Sequence, residues 1–193
     1  MESTRIGILS VGNVLMGDDG IGPFVLKILE SRYEFPKNVV LDDLGTPGLG
    51  ITSFFSDYDA IILIDAVKAN GNPGDVKLYR KDQLVLIPIK QRVSPHDPAL
   101  VEALLFSELS GTCPKDVLLV GIIPECCDLG CEMTAAMLDA VEPAIIAIIL
   151  ELCRFKVAPR LRHDPETPTI WWREKPSSAL PEEVPANVSG DSR

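Results

Sequence analysis

The hydrophobic pattern alternates between short apolar runs and longer amphipathic stretches. Apolar runs occupy residues 5–11, 39–41 and 60–64, and the clearest amphipathic stretch between them covers residues 21–31. Short β-branched runs bounded by Gly and Asp are typical of buried parallel strands, and the intervals between them are long enough for crossover helices. The pattern therefore predicts an α/β fold in which a parallel sheet carries helices on both faces.

The pattern continues after the turn-rich segment KANGNPGD. Residues 76–80 (VKLYR) are strand-like, residues 99–109 are helical in pattern, and residues 117–123 read as another buried strand. A last helical region covers about residues 132–155. Pro143 lies inside it and predicts either a kink in one helix or the start of a second helix.

Composition changes beyond Lys156, and this change predicts a domain boundary. Residues 1–156 are expected to form one domain, because the 193-residue chain is long enough for a single core. Residues 157–193 form a Pro-rich tail with no amphipathic period, which predicts a flexible extension. Trp171 and Trp172 lie in this tail, so docking of the tail on the domain or on a partner is the alternative.

Net charge excludes one class of partner. The formal charge is -10 and the sequence pI is about 4.7. Nucleic-acid binding needs clustered Lys and Arg to neutralise phosphates, so nucleic acid is not an expected partner. An acidic surface favours cations, although it also serves simply to keep a protein in solution.

The remaining composition predicts a cytoplasmic protein. The N-terminal segment MESTR lacks the features of a secretory signal. The longest apolar run, residues 144–150, is much shorter than the roughly 20 residues that cross a bilayer. Five cysteines, an odd number without framework spacing, indicate a reducing compartment. No membrane insertion is expected.

Acidic residues follow three successive strands of the predicted sheet. Asp18 and Asp19 come after the first strand, Asp42 and Asp43 end the second, and Asp65 ends the third. Ligands bind parallel sheets in the crevice outside the carboxyl ends of the strands. Carboxylates gathered there repel one another unless a cation lies between them or protons are taken up. The pattern therefore indicates a metal site.

One histidine extends this acidic set. His96, in the SPHD segment, is one of two histidines in the chain, and an imidazole beside carboxylates suits nickel, zinc or another borderline divalent ion. The predicted ligands are Asp19, Asp65 and His96. The alternatives are that Asp18 or Asp19 caps the helix that begins near Ile21, and that Asp65 and His96 make ordinary local hydrogen bonds.

Two other motifs are weaker. Gly12 and Gly20 lack the GxGxxG spacing of a dinucleotide loop, and two carboxylates stand where the pyrophosphate would lie. Cys126, Cys127 and Cys131 follow a predicted strand and so lie near the crevice. Their CCxxxC spacing differs from the paired CxxC of structural zinc sites, so we interpret them as buried or partly buried thiols.

Five motifs together resemble a known family. GNVLMGDDGIGP, LDDLGTPG, IILIDAV, SPHD and VGIIPE occur in this order and are similar to the hydrogenase maturation endopeptidases, which process nickel-iron hydrogenase large subunits. The resemblance covers about residues 6–152. It implies a three-layer α/β fold with a twisted, mainly parallel five-stranded sheet and helices on both faces.

The resemblance also implies roles for particular residues. By position, Asp19, Asp65 and His96 match the metal-contacting residues of the family, which is the set that the strand-end argument selected. Asp43 matches a further acidic position linked to activity. Some members carry Glu where this chain has Asp19, which keeps the oxygen donor but shortens its reach.

The implied function is removal of a C-terminal extension from a nickel-iron hydrogenase large-subunit precursor after nickel insertion. Nickel belongs to the substrate and acts as the recognition element. The catalytic candidates are Asp19, Asp43, Asp65 and His96. Two chemical routes stay open: a metal ion polarises the scissile carbonyl or activates water, or a carboxylate such as Asp43 or Asp19 acts as general base.

Two other functions compete with proteolysis. A non-catalytic nickel-binding maturation chaperone needs the same ligands, and a Rossmann-like nucleotide enzyme shares the fold class. The second needs phosphate contacts that acidic loops oppose. The first differs from a protease only in leaving the precursor intact.

Overall fold

The computed structural model describes residues 4–86, 97–170 and 172 of the chain. The strands are β1 (Ile6–Ser10), β2 (Tyr33–Glu34), β3 (Val39–Asp43), β4 (Ala60–Ala66), β5 (Val76–Arg80), β6 (Asp116–Ile122) and β7 (Arg160–Leu161). Five of them form one sheet in the order β3-β1-β4-β6-β5, in which only β5 runs antiparallel to its neighbour. The predicted mainly parallel sheet is confirmed.

Helices cover both faces of this sheet. They are α1 (Ile21–Arg32), α2 (Thr52–Phe55), α3 (Lys81–Leu86), α4 (Asp97–Ser110) and α5 (Ala135–Arg154). Successive side chains of a strand point to opposite faces. Ile62 and Ile64 of β4 therefore pack in the core that contains α1 and α5. Ile61 and Leu63 pack in the other core, which contains residues of α2, α3 and α4. The three-layer α/β prediction is confirmed.

The last helix is continuous through its proline. α5 has 20 residues and contains Pro143, so the alternative of a second helix starting there is wrong. A proline inside a helix costs about 3 kcal/mol. Burial of the apolar face of α5, including Ala144, Ile148 and Leu152, offsets this cost. None of the helices in the described part of the chain combines the length and apolarity of a membrane span.

Part of the predicted tail contacts the domain. β7 pairs with β2 in a separate two-stranded sheet. Val157, Ile170 and Trp172 are partly buried against the core that contains α1 and α5. Trp171 and residues 173–193 lie outside the described residues. The boundary at residue 156 stays a prediction, and these contacts favour the docking alternative for residues 157–170 and Trp172.

A partly buried ion pair joins the edge strand β5 to α5. Glu151 is 5% exposed and accepts two hydrogen bonds from the Arg80 guanidinium, at 2.6 and 2.7 Å, and one from Arg154 at 3.0 Å. Burial alone would raise the pKa of Glu151. The hydrogen bonds from Arg80 and Arg154 outweigh burial and hold the pKa below its ordinary value of 4.5.

We expect Glu151→Gln to lower the free energy of unfolding by about 1.5–3 kcal/mol at neutral pH, because hydrogen bonds to charged groups are lost. A depressed folded-state pKa contributes stability above 4.5 that disappears as pH falls through the lower folded value. Urea unfolding between neutral and acidic pH should therefore show a smaller acid-induced loss in the variant. Glu142→Gln, at a pair with Arg32 in which Glu142 is 59% exposed, is the control and should cost less than about 1 kcal/mol. An equal effect of both variants would contradict this prediction.

Candidate functional site

Two of the predicted site residues lie at the carboxyl end of the central strands. Asp19 belongs to a 3₁₀ turn, Gly17–Gly20, that follows β1, and Asp65 is the sixth residue of β4. β1 and β4 are neighbours, and the backbone N–H of Val11 donates to the carbonyl of Ile64 at 2.9 Å. Each aspartate is only 4% exposed. The parallel sheet thus carries two buried carboxylates at one rim.

Glycine at position 22 lets α1 begin directly against both strand ends. A Cβ there would come within 2.4 Å of the Val11 carbonyl oxygen and 2.6 Å of the Ile64 carbonyl oxygen. Contacts this short do not occur, so any side chain would push the helix away. Gly22, the last glycine of GDDGIGP, therefore has a packing role: it allows α1 and the preceding 3₁₀ turn, which carries Asp19, to lie beside the end of β4.

The loop that carries Asp19 folds back on itself. The backbone N–H of Asn13 donates to Oδ2 of Asp19 at 2.8 Å. Gly12 has φ of 144°, and a Cβ there would lie 2.0 Å from the Asp19 carbonyl oxygen. Glycine is required at this close approach. The GNxLxxDD segment is thus a compact loop whose backbone N–H at Asn13 orients the Asp19 carboxylate.

Asp18 has a different role from its neighbour. It is fully buried, and its carboxylate accepts hydrogen bonds from the backbone N–H groups of Glu125, Cys126 and Thr134 at 2.7–3.0 Å, and from the Thr134 hydroxyl at 3.0 Å. Thr134 directly precedes α5. The N-cap of α1 is Gly20, which receives no side-chain cap, so the prediction that Asp18 or Asp19 caps α1 is wrong. Asp18 instead joins the first loop to the start of the last helix.

Asp43 ends β3 beside the same loop. Its Oδ1 accepts hydrogen bonds from the Ser10 hydroxyl at 2.8 Å and from the backbone N–H of Gly45 at 3.2 Å. It is exposed and borders a cavity of about 220 Å³ that is also lined by Asn13 and Trp172. Asn13 therefore links the two aspartates: its backbone N–H binds Asp19, and the residue lines the cavity that Asp43 borders.

Asp65 faces a small cavity on the other side of the rim. The cavity has a volume of about 20 Å³, and its lining includes Asp65, Gly48, Ile51 and Leu100. Leu100 lies in the first turns of α4. The turn that carries GTPG and the start of α4 thus approach the end of β4 together.

The comparisons with known proteins identify the family. A family model described as hydrogenase maturation protease matches residues 23–151, two thirds of the chain. The chain belongs to this family. It is 31% identical over 148 residues to the hydrogenase 2 maturation protease of Escherichia coli, which covers 77% of this chain and 90% of that protein. It is 32% identical over 145 residues to the hydrogenase expression/formation protein HupD of Bradyrhizobium diazoefficiens, which covers 75% of this chain and 76% of that protein.

Solved structures agree with this assignment. The hydrogenase maturating endopeptidase HybD from E. coli superposes with a TM-score of 0.75 at 30% identity, covering 83% of this chain and 99% of that one. The [NiFe] hydrogenase maturation protease HybD from Thermococcus kodakarensis gives a TM-score of 0.60 at 26% identity, covering 76% and 98% of the two chains. The predicted resemblance and the predicted class of enzyme, an endopeptidase of hydrogenase maturation, are confirmed.

The predicted ligand set of the protease is only partly described. Asp19 and Asp65 share the rim, whereas His96 lies outside the described residues. Among the residues that are described, no group of three ligand atoms within 4.8 Å includes Asp19, Asp43 or Asp65. The convergence of Asp19, Asp65 and His96 on one ion therefore stays a prediction.

A thiol near the rim was not assigned a role from the sequence. Burial, together with the negative charges of Asp19 and Asp18, raises the pKa of the Cys127 thiol to about 11. A thiol with this pKa is protonated at neutral pH and is a weak nucleophile. Cys127 is thus poorly suited to act as a cysteine-protease nucleophile.

Proposed function

We propose that this protease removes a C-terminal extension from a nickel-iron hydrogenase large-subunit precursor once nickel has been inserted. The observation that carries the proposal is the pair of buried carboxylates, Asp19 and Asp65, at adjoining strand ends of a fold whose relatives are hydrogenase maturation proteases. Buried carboxylates are costly unless they meet protons, donors or a cation. A substrate that brings its own divalent ion would find two negative charges at this rim.

We infer that Asp19, Asp65 and His96 contact the nickel ion of the precursor. Leu100, four residues after His96 in the sequence, lines the same small cavity as Asp65. Two carboxylates and an imidazole suit a borderline divalent ion and leave coordination positions to the substrate's own ligands. Nickel is then part of the substrate and selects precursors that have received it.

For the chemical step, Asp43 is the better placed general base. It is exposed at a cavity on the rim, and the two hydrogen bonds recorded for it among the described residues both use Oδ1. A base must reach a water molecule beside the scissile bond, which an exposed carboxylate can do. Asp19 and Asp65, both buried, suit ion contact better. With Asp43 as the base and Asp19 and Asp65 as ion contacts, the enzyme is an aspartic-type endopeptidase in which nickel positions the substrate.

We place the reaction in the cytoplasm. All five cysteines are free thiols, including Cys126 and Cys131, whose sulfur atoms lie 3.2 Å apart. Free thiols at this spacing persist in a reducing compartment. The charge of -10 speaks against a nucleic-acid partner.

The test is incubation of the protein with purified nickel-loaded and nickel-free precursor, followed by mass spectrometry of the large subunit. We expect the nickel-loaded form alone to lose its extension, and a precursor truncated before the extension to keep its mass. An intact nickel-loaded precursor that still binds the protein would indicate the chaperone function instead. Equal cleavage of both forms would contradict nickel as the recognition element.

A further inference from the structure

Three side chains with metal-binding chemistry converge in the loop between β6 and α5. Sγ of Cys126 lies 3.2 Å from Sγ of Cys131 and 3.7 Å from Oδ2 of Asp128. Ligand atoms of the three residues all lie within 4.8 Å of one another, and no second group of this kind occurs in the described part of the chain. We propose that Cys126, Asp128 and Cys131 form a binding site for a thiophilic divalent cation, with Zn²⁺ as the best fit.

The distances suit a tetrahedral zinc ion. With Zn–S of about 2.3 Å and Zn–O of about 2.1 Å, two sulfur ligands lie about 3.8 Å apart and a sulfur and an oxygen about 3.6 Å apart. The Cys126–Asp128 distance of 3.7 Å agrees with this edge of the tetrahedron. The sulfur pair, at 3.2 Å, would have to separate by about 0.6 Å to span the corresponding edge of the tetrahedron.

The loop that carries these ligands is fastened to the rest of the protein. Asp18 accepts a hydrogen bond from the Cys126 N–H at 3.0 Å and donates its own N–H to the Cys126 carbonyl at 2.9 Å. The Gly130 N–H donates to the carbonyl of Leu15 at 2.9 Å. A Cβ on Gly17 would come within 2.7 Å of the Cys126 carbonyl oxygen. These contacts hold the backbone in place before any ion arrives, which lowers the entropy cost of binding.

Three protein ligands leave a fourth coordination position, which we assign to water. A cavity of about 300 Å³ borders Cys131 and is also lined by Leu15, Gly17 and Glu132, so a water ligand has room. Cys131 and Asp128 are exposed, which gives the ion access from solvent. The overall charge of -10 favours cation approach.

Occupancy of this site would act on the first loop. The ion would close the segment 126–131, which is bonded to Asp18 and Leu15. Asp18 directly precedes Asp19 at the rim. A bound ion would therefore stiffen the loop that supports the candidate site. The site does not depend on the proposed cleavage reaction, because its ligands are separate from Asp19, Asp65 and His96.

Cobalt titration of the reduced, full-length chain tests the proposal. We expect one equivalent of Co²⁺ to give sulfur-to-cobalt charge-transfer absorption together with tetrahedral d–d bands, and Zn²⁺ to displace it. Cys126→Ser and Cys131→Ser should each abolish the charge-transfer band. Asp128→Asn should weaken Co²⁺ binding by more than about tenfold, because loss of a direct ligand exceeds the effect of losing its supporting partner. Cys127→Ser and Cys153→Ser, which change thiols outside the group, should keep the band.

Zinc-edge X-ray absorption on the wild-type protein gives a reading that does not depend on the folding of variants. Two sulfur neighbours with additional oxygen neighbours are expected. A reduced protein that binds no ion through sulfur, a band that survives in Cys126→Ser, or a band lost in Cys127→Ser would each overturn the proposal. A zinc environment without sulfur would overturn it as well.

Discussion

We expect Asp65→Asn and His96→Ala each to abolish processing of a nickel-loaded precursor while leaving the protein folded. The amide of Asn is similar in size to the carboxylate of Asp, so the packing around position 65 is kept while the charge is lost. Replacement of a partner that only supports a metal ligand costs 10–100-fold, so loss of a direct ligand should reduce the cleavage rate by more than about 100-fold. The measurement is the time course of mass loss of the large subunit.

Asp19→Asn should behave in the same way, and Asp139→Asn is the matched control. Asp139 is an exposed aspartate on α5, so its substitution should leave processing unchanged. Circular dichroism and urea unfolding check that each variant is folded. Normal cleavage by both Asp65→Asn and His96→Ala would exclude these residues as contacts of the nickel ion. Unfolding of both variants would instead mean that these positions are structural.

Asp18→Ala should cause the largest loss of stability. The substitution leaves the N–H groups of Glu125, Cys126 and Thr134, whose bonds to Asp18 are partly buried, without the acceptor they now have. Each unsatisfied buried donor costs about 1–3 kcal/mol, and partial access of water makes a total of about 3–5 kcal/mol reasonable. This is a large fraction of the typical 5–15 kcal/mol of a domain. Urea unfolding of the variant measures it.

Asp19→Asn serves as the neighbouring control in this experiment. The amide oxygen can still accept the hydrogen bond from the Asn13 N–H, so we expect a smaller destabilisation than that of Asp18→Ala. The two adjacent aspartates would then have distinct roles: Asp18 would be required for stability and Asp19 for cleavage. A free energy of unfolding for Asp18→Ala equal to that of the unsubstituted protein would contradict the structural role of Asp18.

The structural role of Asp18 was not predictable from its position in the GDDG motif. Both aspartates are acidic and precede a helix, and the sequence selected Asp19 as a ligand while offering only local capping for Asp18. The bonds of Asp18 instead reach residues 107 to 116 positions further along the chain. Such partners leave no signal in a local pattern, because hydrophobic periodicity and capping motifs report only on neighbouring residues.

Cys126 and Cys131 illustrate the same limit. Their spacing matches no paired zinc motif, so the sequence indicated ordinary thiols. Their sulfur atoms lie 3.2 Å apart because the loop folds against Gly17 and Leu15, more than a hundred residues earlier. The proximity of the two sulfur atoms therefore could not be predicted without knowing how this loop packs.

By itself the sequence determined the α/β class, the parallel strands, the family, and the gathering of Asp19, Asp43 and Asp65 at strand ends. The family follows from the resemblance of five motifs, and the rest follows from periodicity and from one geometric rule: parallel strands place their carboxyl ends at the same edge. Only the tertiary structure decided that Asp18 supports the start of α5, that Cys127 lies near Asp19, and that β7 pairs with β2. The physical reason is that these contacts join segments distant in the chain, whose approach depends on how the whole core packs.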